Sequence, residues 1–383
     1  MMSALAQRLQ VYRQQGLYRQ RNRVDQPGLV AFDSNDYLGL KDHPALVEAL
    51  AAGAERYGAG GGGSHLICGH HAEHQALEEE LAEFVGRDRV LLFSSGYMAN
   101  LGVMQTLLGR HDTVVGDRLN HASLIDAAKL SGARLRRYQH CDAKAANNIL
   151  SSIDSGQKLL VTDGVFSMDG DIAPLVELAA LAESNSAGMM VDDAHGFGVL
   201  GANGAGSVQA AGLDQQQVPV LMATLGKAAG LQGAFVAGSE TLIEGLIQFA
   251  RTYIYTTAMP SAFAAALRVS LRLIQSEGWR REKLASNIRR FRDAALQEGL
   301  PLLSSITAVQ GMVAGDNQQA LSWAQQLQEC GFAVTAIRSP TVPKGTERMR
   351  ITLSAEHADE QIDRLVNALA GLRRTVQDVR HVG

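Results

Sequence analysis

The chain has 383 residues, of which 46% are hydrophobic and 19% are charged, and its formal net charge is -4. This length is typical of two or three domains with a large core, and the absence of a basic block argues against nucleic acid as a partner. No apolar run approaches the ~18 residues of a membrane helix, so we expect no membrane segment. The three cysteines form no paired motif, which favours a reducing compartment, and we expect a cytoplasmic protein.

The first 24 residues contain five arginines and no acidic residue. This composition resembles a mitochondrial transit peptide, but serine is nearly absent. Leu5, Leu9 and Tyr12 would share one face of a helix. We therefore predict an N-terminal helix and arm over residues 1–40.

A helix is predicted over residues 44–57, where Leu46, Leu50 and Ala54 form one stripe. The glycine-rich run 58–64 follows. It fits a flexible linker, or a close-packed loop beside a ligand or a partner chain. Both interpretations stay open from the sequence.

The densest histidine cluster comes next, and a helix over residues 75–85 follows it. The spacing of four between the second and fourth histidines could place two imidazoles on one helix face, as in some metal sites. The sequence there reads HHAEH and lacks the carboxylate position of a zinc protease. We expect these histidines to start and pack a helix, and we expect no metal. The cluster consists of His65, His70, His71 and His74.

From residue 90 onward a pattern repeats: a short apolar strand, a polar turn rich in Gly, Ser or Asp, and a helix. Such alternation is typical of a mainly parallel sheet that is covered on both faces. Ligands bind such sheets at the carboxyl ends of the strands, so the polar turns are expected to converge on one rim. The predicted strands are 90–93, 113–115, 159–162, 189–191 and 220–223, and helices are predicted up to 108, up to 130 and over 175–183.

Beyond residue 260 the predicted elements change to a smaller α+β domain. The predicted helices are 262–276, 281–296, 318–329 and a last one that Ser354 caps, and the predicted strands are 307–313, 333–337 and 348–353. We accordingly place a large domain at 41–270 and a small one at 271–383.

Lys227 follows the strand 220–223 and lies among small and apolar residues. Desolvation weakens the preference of a lysine for its charged form. The neutral amine can then form a Schiff base with a carbonyl compound. The alternative is a lysine at a strand end whose amine reaches water.

A Schiff-base lysine needs a carbonyl partner and an electron sink, and pyridoxal phosphate supplies both. A carboxylate can keep the ring nitrogen protonated, imidazoles can contact the ring and its oxygen, and amides at a helix start can bind phosphate. Structural roles are the alternatives: a hydrogen-bonded pair for Asp192 and His195, and a helix cap for His121. Asp192 is the candidate for the ring nitrogen, and His121 and His195 are the candidates for the ring and its oxygen. Gly96 and Tyr97 are the candidates for the phosphate, and Thr224 can add a hydroxyl.

Six stretches of the chain resemble the α-oxoamine synthases. The resemblance runs from about residue 17 to 369 and implies a fold-type-I pyridoxal-phosphate enzyme. That fold has a mainly parallel sheet in a large domain and a smaller α+β C-terminal domain. The stretches are SNDYLGL (34–40), FSSGYMAN (93–100), DRLNHASLIDA (117–127), TDGVFSMDGD (162–171), VDDAHGFGVLG (191–201) and TLGKAAG (224–230).

The resemblance also implies a role for individual residues. Lys227 would hold the cofactor covalently and act as the base, Asp192 would pair with the ring nitrogen, and His195 would contact the ring oxygen. Family members are homodimers with a shared site. The remaining implied cofactor contacts are His121, Ser167, Thr224, Gly96 and Tyr97, with Thr256 and Thr257 from the neighbouring subunit. The implied substrate contacts are Arg350 for the amino-acid carboxylate, Arg19 and Thr341 for the acyl donor, and Asn35 and His121.

The implied reaction is a decarboxylative condensation of L-alanine with a pimeloyl thioester, carried by CoA or by a carrier protein. A synthase that joins glycine to acetyl-CoA would have the same core residues. An aminotransferase or aldolase of this fold, or a silent subunit, are further alternatives. Two positions depart from the family: Asp163 replaces a common glutamate, and His65 stands where many relatives have glycine or arginine.

Overall fold

The structure is a computed structural model that describes residues 1–19, 21 and 28–382. The chain forms two compact units. The larger unit comprises Asp36–Ser167 and Asp171–Glu282, and the smaller unit comprises Met1–Asn35, Met168–Gly170 and Lys283–Gly383. The domain limits placed at residues 40 and 270 stay a prediction, since these units reflect packing alone.

The described chain contains twelve strands and fourteen α-helices, numbered in chain order, and a short π-helix at His65–Gly69. The strands are β1 Val30–Ala31, β2 Arg89–Phe93, β3 Thr113–Asp117, β4 Arg134–Tyr138, β5 Lys158–Asp163, β6 Gly188–Asp192, β7 Val220–Thr224, β8 Ala234–Gly238, β9 Val309–Val313, β10 Phe332–Ala333, β11 Thr335–Ile337 and β12 Arg348–Thr352. The helices are α1 Met2–Gln14, α2 Pro44–Tyr57, α3 Ala72–Val85, α4 Gly96–Leu107, α5 Ala122–Ser131, α6 Ala143–Leu150, α7 Leu175–Ser184, α8 Ser207–Ala210, α9 Glu240–Phe249, α10 Arg251–Ile254, α11 Ser261–Ser276, α12 Trp279–Gln297, α13 Asn317–Glu329 and α14 Asp359–Val382.

The larger unit is built on a seven-stranded sheet with the order β2-β8-β7-β6-β5-β3-β4. The strands from β7 to β4 are parallel, and β8 runs antiparallel to both of its neighbours. This arrangement confirms the mainly parallel sheet. The carboxyl ends of β3, β5, β6 and β7 therefore meet at one edge, as the strand–turn–helix pattern predicts.

The core of the larger unit lies between this sheet and helices α4, α5 and α9. Apolar side chains of the central strands interdigitate there with apolar faces of the helices, and burial of this surface is the main favourable term in folding. The cluster includes Leu91, Val103, Leu124, Met190 and Val236.

Two strands of the large sheet are absent from the strands that we predicted. β4 has the sequence RLRRY and is an edge strand with mostly exposed side chains. We predicted strands from short apolar runs, and the three arginines of β4 interrupt such a run. Charged side chains are common on edge strands. β8 is fully buried and apolar, and it lies outside the strand–turn–helix repeat because it is the antiparallel strand.

The glycine-rich run 58–64 is a close-packed loop. A Cβ atom on Gly61 would lie 2.3 Å from the carbonyl oxygen of Ala258. The amide of Ala258 in turn donates to the carbonyl of Gly63 at 2.8 Å. Glycine is therefore required by backbone contact here, and the linker interpretation is wrong.

The smaller unit contains a three-stranded antiparallel sheet, β11-β12-β9, and the parallel pair β1-β10. The single strand predicted at 333–337 is split, because β10 pairs with β1 whereas β11 pairs with β12. The last helix begins at Asp359, so Ser354 does not cap it. The amide of Ser354 instead donates to Nδ1 of His357 at 3.1 Å.

The predicted N-terminal helix is confirmed as α1. No residue of α1 is buried, and Leu5 is 48% exposed. Among the described residues, no helix combines the length and the apolar character needed to cross a bilayer.

Candidate active site

A cavity of about 190 Å³ lies at the carboxyl edge of the large sheet. Five turns or strand ends contribute to it, which confirms the convergence predicted from the strand–turn–helix pattern. Eight of the predicted site residues line it: Gly96, Tyr97, His121, Ser167, Asp192, His195, Thr224 and Lys227.

Asp192 ends β6 and is only 5% exposed. Its Oδ2 accepts a hydrogen bond from the Asn100 side-chain amide at 2.8 Å, and its Oδ1 accepts from the Ala194 amide at 3.1 Å. Both donors are neutral, so the carboxylate is held in place while its negative charge is kept. Asn100 has no predicted role; the sequence signal for it is a polar amide within the mostly apolar helix α4, and the structure shows that this amide is fully buried.

Asp163 ends β5 and is paired in register with Asp192 on the neighbouring strand. Its two oxygens each lie 3.2 Å from the amide nitrogen of His121. Burial raises the pKa of the Asp163 carboxyl well above its usual value, and the negative charge of Asp192 raises it further. The cavity wall therefore holds two adjacent carboxyl groups, one at the end of each strand.

Lys227 points at an imidazole. Its Nζ lies 2.7 Å from Nε2 of His195, and Nδ1 of His195 lies 2.5 Å from the hydroxyl of Tyr37. The lysine is partly buried. The Lys227 amine therefore contacts another side chain and does not simply extend into water. Tyr37 belongs to the stretch SNDYLGL, but nothing in the sequence connected it to His195.

His121 caps helix α5, as the structural alternative proposed. Its Nδ1 accepts from the Ser123 amide at 3.3 Å and lies 2.6 Å from the Ser123 hydroxyl. The ring nevertheless lines the cavity. Burial lowers the pKa of His121, while the charge of Asp192 raises it and that of Lys227 lowers it. A neutral imidazole suits contact with the face of a flat ring.

The remaining cofactor candidates differ in what they contact. The Thr224 hydroxyl donates to the Gly233 carbonyl at 3.0 Å and accepts from the Gly226 amide at 3.3 Å, so it also shapes its own turn. Tyr97 donates its hydroxyl to Asp126 at 2.7 Å. Helix α4 begins at Gly96, as predicted.

Thr256 and Thr257 follow α10 and are not among the residues that line the cavity. Thr257 is exposed, and its methyl carbon would lie 3.4 Å from a Cβ on Gly61. These threonines therefore lie beside the glycine-rich loop. Their predicted contact with a neighbouring subunit's cofactor stays a prediction.

In the smaller unit, Arg350 lies on β12 and is buried. It donates to the side-chain oxygens of Asn35 and Thr352, each at 3.0 Å. The two substrate candidates Arg350 and Asn35 are thus in direct contact. The structural alternative for Arg350 is an ion pair with Glu347 or Asp359. Asp359 instead pairs with Lys283 and Arg290, and Glu347 accepts from the amide of Gly345.

Arg19 and Thr341 line one cavity of about 740 Å³ in the smaller unit. Arg13 and Arg338 also line it. The Arg338 guanidinium donates to the carbonyl of Gly16, which ties the N-terminal arm to β11 and the turn after it. Three arginines around one cavity suit an anionic ligand.

The histidine cluster is built for packing. His74 uses both nitrogens: Nδ1 accepts from the His71 amide at 3.1 Å, and Nε2 lies 2.7 Å from the Met259 carbonyl. The His65 ring stacks on Tyr253 with centroids 5.1 Å apart. Burial lowers the pKa of His65 to about 3, so this ring is neutral. The expected role in helix start and packing is confirmed.

The donor set around the smaller cavity fits pyridoxal phosphate. A buried carboxylate suits the ring nitrogen, a neutral imidazole suits the ring face, and a primary amine suits the aldehyde. The amides at the start of α4 suit the phosphate, because a helix N-terminus attracts anions. Asp163 also lines the cavity, and burial raises the pKa of its carboxyl.

A family profile described as aminotransferase class I and II matches residues 27–369. The chain belongs to the aminotransferase class I and II family. Within this family the match to the α-oxoamine synthases is confirmed, as are the fold-type-I architecture and the dependence on pyridoxal phosphate. The chain is a pyridoxal-phosphate-dependent acyltransferase of that group.

Individual relatives agree. The chain is 55% identical to 8-amino-7-oxononanoate synthase of Thioalkalivibrio sulfidiphilus over 99% of both chains. It is 59% identical to that of Methylococcus capsulatus over 91% of this chain and 90% of the relative. The chain also resembles solved structures of two kinds of enzyme. Serine palmitoyltransferase from S. paucimobilis has a TM-score of 0.91 at 30% identity over 98% of both chains. The 8-amino-7-oxononanoate synthase of Francisella tularensis has a TM-score of 0.81 at 32% identity over 92% of this chain and all of that chain.

Proposed function

We propose that the protein condenses L-alanine with a pimeloyl thioester to give 8-amino-7-oxononanoate, carbon dioxide and a free thiol, a step of biotin biosynthesis. The observation that carries this proposal is identity of 55% over 99% of both chains with a relative of that name. The stretch 336–357, which includes β12 and Arg350, lies within the residues that the family profile matches.

Pyridoxal phosphate, when bound, supplies an aldehyde for a Schiff base and a ring that accepts the electron pair left at the amino acid's Cα. Lys227 would hold the aldehyde. Asp192 would keep the ring nitrogen protonated, because its charge is buried and held by neutral donors. His121 would lie against the ring face, and the amides of Gly96 and Tyr97 would bind the phosphate.

Lys227 would also move the substrate proton. Its amine can accept the proton from Cα of L-alanine once it is released from the cofactor, and it can return a proton to the product. His195 lies 2.7 Å from this amine and would also contact the ring oxygen. Lys227 would thus serve both in cofactor binding and in proton transfer.

Arg350 would bind the carboxylate of L-alanine. A guanidinium binds a carboxylate with two parallel hydrogen bonds, which a lysine cannot copy. Asn35 holds this guanidinium through its side-chain oxygen. Holding the carboxylate fixes the amino acid while its Cα–H bond is aligned for cleavage. Arg19 and Thr341 would contact the acyl donor in the cavity that they line.

We propose a cytoplasmic homodimer. The glycine-rich loop 58–64 and the turn at Thr256 and Thr257 lie together, and exposed Ile67 and Tyr255 lie on neighbouring segments. Such a patch suits burial against a second copy. Analytical ultracentrifugation of the active enzyme tests this. A monomer with full specific activity would contradict it.

The decisive experiment measures free thiol and carbon dioxide from matched pairs of amino acid and acyl-CoA. We expect turnover with L-alanine and pimeloyl-CoA about 10–200-fold above that with glycine and acetyl-CoA, since one missing methyl contact costs about 1–3 kcal/mol. L-Serine with palmitoyl-CoA is a third pair, because the fold resembles serine palmitoyltransferase.

Each outcome has one meaning. Highest kcat/KM with glycine or serine would overturn the proposed substrates while leaving the acyltransferase class intact. Amino-group transfer without carbon dioxide would indicate an aminotransferase. A pimeloyl carrier protein offered beside pimeloyl-CoA then shows which carrier is preferred.

A further inference from the structure

Three polar groups of the larger unit lie in a row. The Tyr37 hydroxyl is 2.5 Å from Nδ1 of His195, and Nε2 of His195 is 2.7 Å from Nζ of Lys227. Tyr37 is 1% exposed. We propose that Tyr37 is a positioning residue that acts through His195: it holds the imidazole so that Nε2 faces Lys227, and it thereby sets the proton affinity of the Lys227 amine.

The backbone around Tyr37 is held in place by its neighbours. The Asp36 carboxylate accepts from the amides of Leu40 at 2.9 Å and Lys41 at 3.3 Å. The guanidinium of Arg280 donates to the Leu38 carbonyl at 2.9 Å. A buried phenol on a bonded turn loses little further freedom when it binds an imidazole, so it is a suitable anchor.

The turn that carries Lys227 packs directly on this segment. A Cβ on Gly230 would lie 2.7 Å from the backbone nitrogen of Lys41 and 2.8 Å from the carbonyl carbon of Leu40. Gly230 also has a φ of 75°, which favours glycine. Tyr37 and Lys227 therefore sit on two backbone segments in contact, and the imidazole of His195 bridges their side chains.

Hydrogen-bond chemistry couples the three groups. A lysine ammonium can only donate, so Nε2 of His195 must accept from it and the imidazole proton must lie on Nδ1, donating to Tyr37. A free amine can also accept, which allows the reverse order: Nε2–H donates to Lys227, and the Tyr37 hydroxyl donates to Nδ1. A hydroxyl serves both states because it donates and accepts.

The hydrogen bonds of the row are stronger when Lys227 is protonated than when it is neutral. The row that contains the ammonium is charge-assisted, and donation from Nδ1 to Tyr37 makes Nε2 a better acceptor. Tyr37 thus stabilises the protonated lysine in the cofactor-free protein. Four other titratable groups line the same cavity as this amine, namely Tyr97, His121, Asp163 and Asp192, and two of them, His121 and Asp163, interact electrostatically with Lys227. They are unchanged by substitution of Tyr37.

The first test uses the full-length, cofactor-free protein. The rate at which Lys227 reacts with trinitrobenzenesulfonate is followed against pH, and the modified peptide is identified by mass spectrometry. We expect Tyr37→Phe to lower the apparent pKa of Lys227 by about 0.5–1 unit, the equivalent of one hydrogen bond, so that modification below that pKa is about 3–10 times faster.

Tyr138→Phe is the matched control. Tyr138 is also 1% exposed, but it ends the edge strand β4 and does not line the cavity. We expect its variant to reproduce the wild-type titration. Equal Lys227 titration in wild type and Tyr37→Phe would overturn the proposal.

The second test needs no substitution at Tyr37. The ¹⁵N NMR spectrum of the wild-type histidines, with His195 assigned by its loss in His195→Gln, reports the tautomer. We expect the proton on Nδ1 at a pH where Lys227 is charged. A proton on Nε2 under that condition would overturn the proposal. Neither test involves a substrate, so its outcome is independent of the proposed reaction.

Discussion

The cavity of the larger unit and strand β12 of the smaller unit hold buried charge in different ways. On β12, the buried Arg348 forms an ion pair with Asp169 at 2.5 Å. In the cavity, the carboxylate of Asp192 accepts from a neutral side-chain amide and a backbone amide. The first arrangement cancels a charge, and the second orients a charge and keeps it.

Arg350, two residues from Arg348 on the same strand, has hydrogen bonds to neutral groups as Asp192 does, and the Asp33 carboxylate also acts on it. It donates to the neutral oxygens of Asn35 and Thr352. An ion pair inside a protein serves the fold, because breaking it leaves an unmatched charge. A charge held by neutral groups can act on a ligand at smaller cost. We propose that the charges of Asp192 and Arg350 serve the reaction, whereas the ion pair of Arg348 with Asp169 serves stability.

The largest effect is expected at Lys227. Lys227→Ala should abolish covalent attachment of the cofactor and lower thiol release at least about 10³-fold, since anchor and base are lost together. Borohydride reduction followed by peptide mapping measures the attachment. Lys283→Ala, which removes a lysine paired with Asp359 at 2.6 Å, is the control and should retain both. An adduct on another lysine would contradict the assignment.

The second prediction contrasts two aspartates. Asp192→Asn should keep the fold and bound cofactor but lower turnover by about 10²–10³-fold, because a neutral amide cannot hold the ring nitrogen protonated. Asp169→Asn should instead lower the free energy of unfolding by about 3–5 kcal/mol, because Arg348 loses its counter-charge. Urea denaturation and steady-state kinetics measure the two effects. Near-normal turnover of Asp192→Asn with cofactor bound would refute the distinction.

The third prediction concerns Arg350. Arg350→Lys should raise the KM for L-alanine about 10–100-fold, the equivalent of one charge-assisted hydrogen bond, and should leave the thioester KM nearly unchanged. Arg290→Lys is the control, because Arg290 is half-exposed and paired with Asp363. An unchanged alanine dependence would place Arg350 with Arg348 as a structural arginine.

The smallest effect on turnover is expected at Asp193, which follows Asp192 but does not line the cavity. Burial raises the pKa of Asp193 from 3.8 to about 7. Because the folded state binds this proton more tightly than the unfolded state, the free energy of unfolding should fall as the pH rises from about 4 to about 7. The stabilisation that protonated Asp193 contributes below pH 4 is lost above pH 7.

Asp193→Asn should remove this pH dependence, which is on the order of 2–4 kcal/mol. The asparagine oxygen can still accept from the Ser207 amide, as Asp193 does at 2.7 Å. Urea denaturation at pH 4.5 and pH 7.5 measures the change. The same slope in wild type and variant would show that another group titrates.

Much of the larger unit could be predicted from local sequence. Short apolar runs that end in polar turns identify parallel strands, because such strands are buried on both faces. Helix α2 was predicted with its observed bounds, and the turn residues of β3, β6 and β7 were placed on one rim. The alternation itself requires this result, since parallel strands share a carboxyl edge.

Tertiary structure alone decided which side chains contact each other in the cavity and which strands pair. Asn100 meets Asp192 across a helix and a strand that are far apart in sequence, and Tyr37 reaches Lys227 only through His195. The antiparallel strand β8 and the split of β10 from β11 depend on which sheet each strand joins.

The sequence by itself determined the chemistry of the cavity: which side chains follow the strands, and which of them can hold a cofactor. It did not determine the state of those groups. The pKa of Asp163 is raised chiefly by burial and further by the Asp192 carboxylate, which in-register pairing of the two strands places beside it. Charge state depends on burial and distance, and both are properties of packing rather than of residue order.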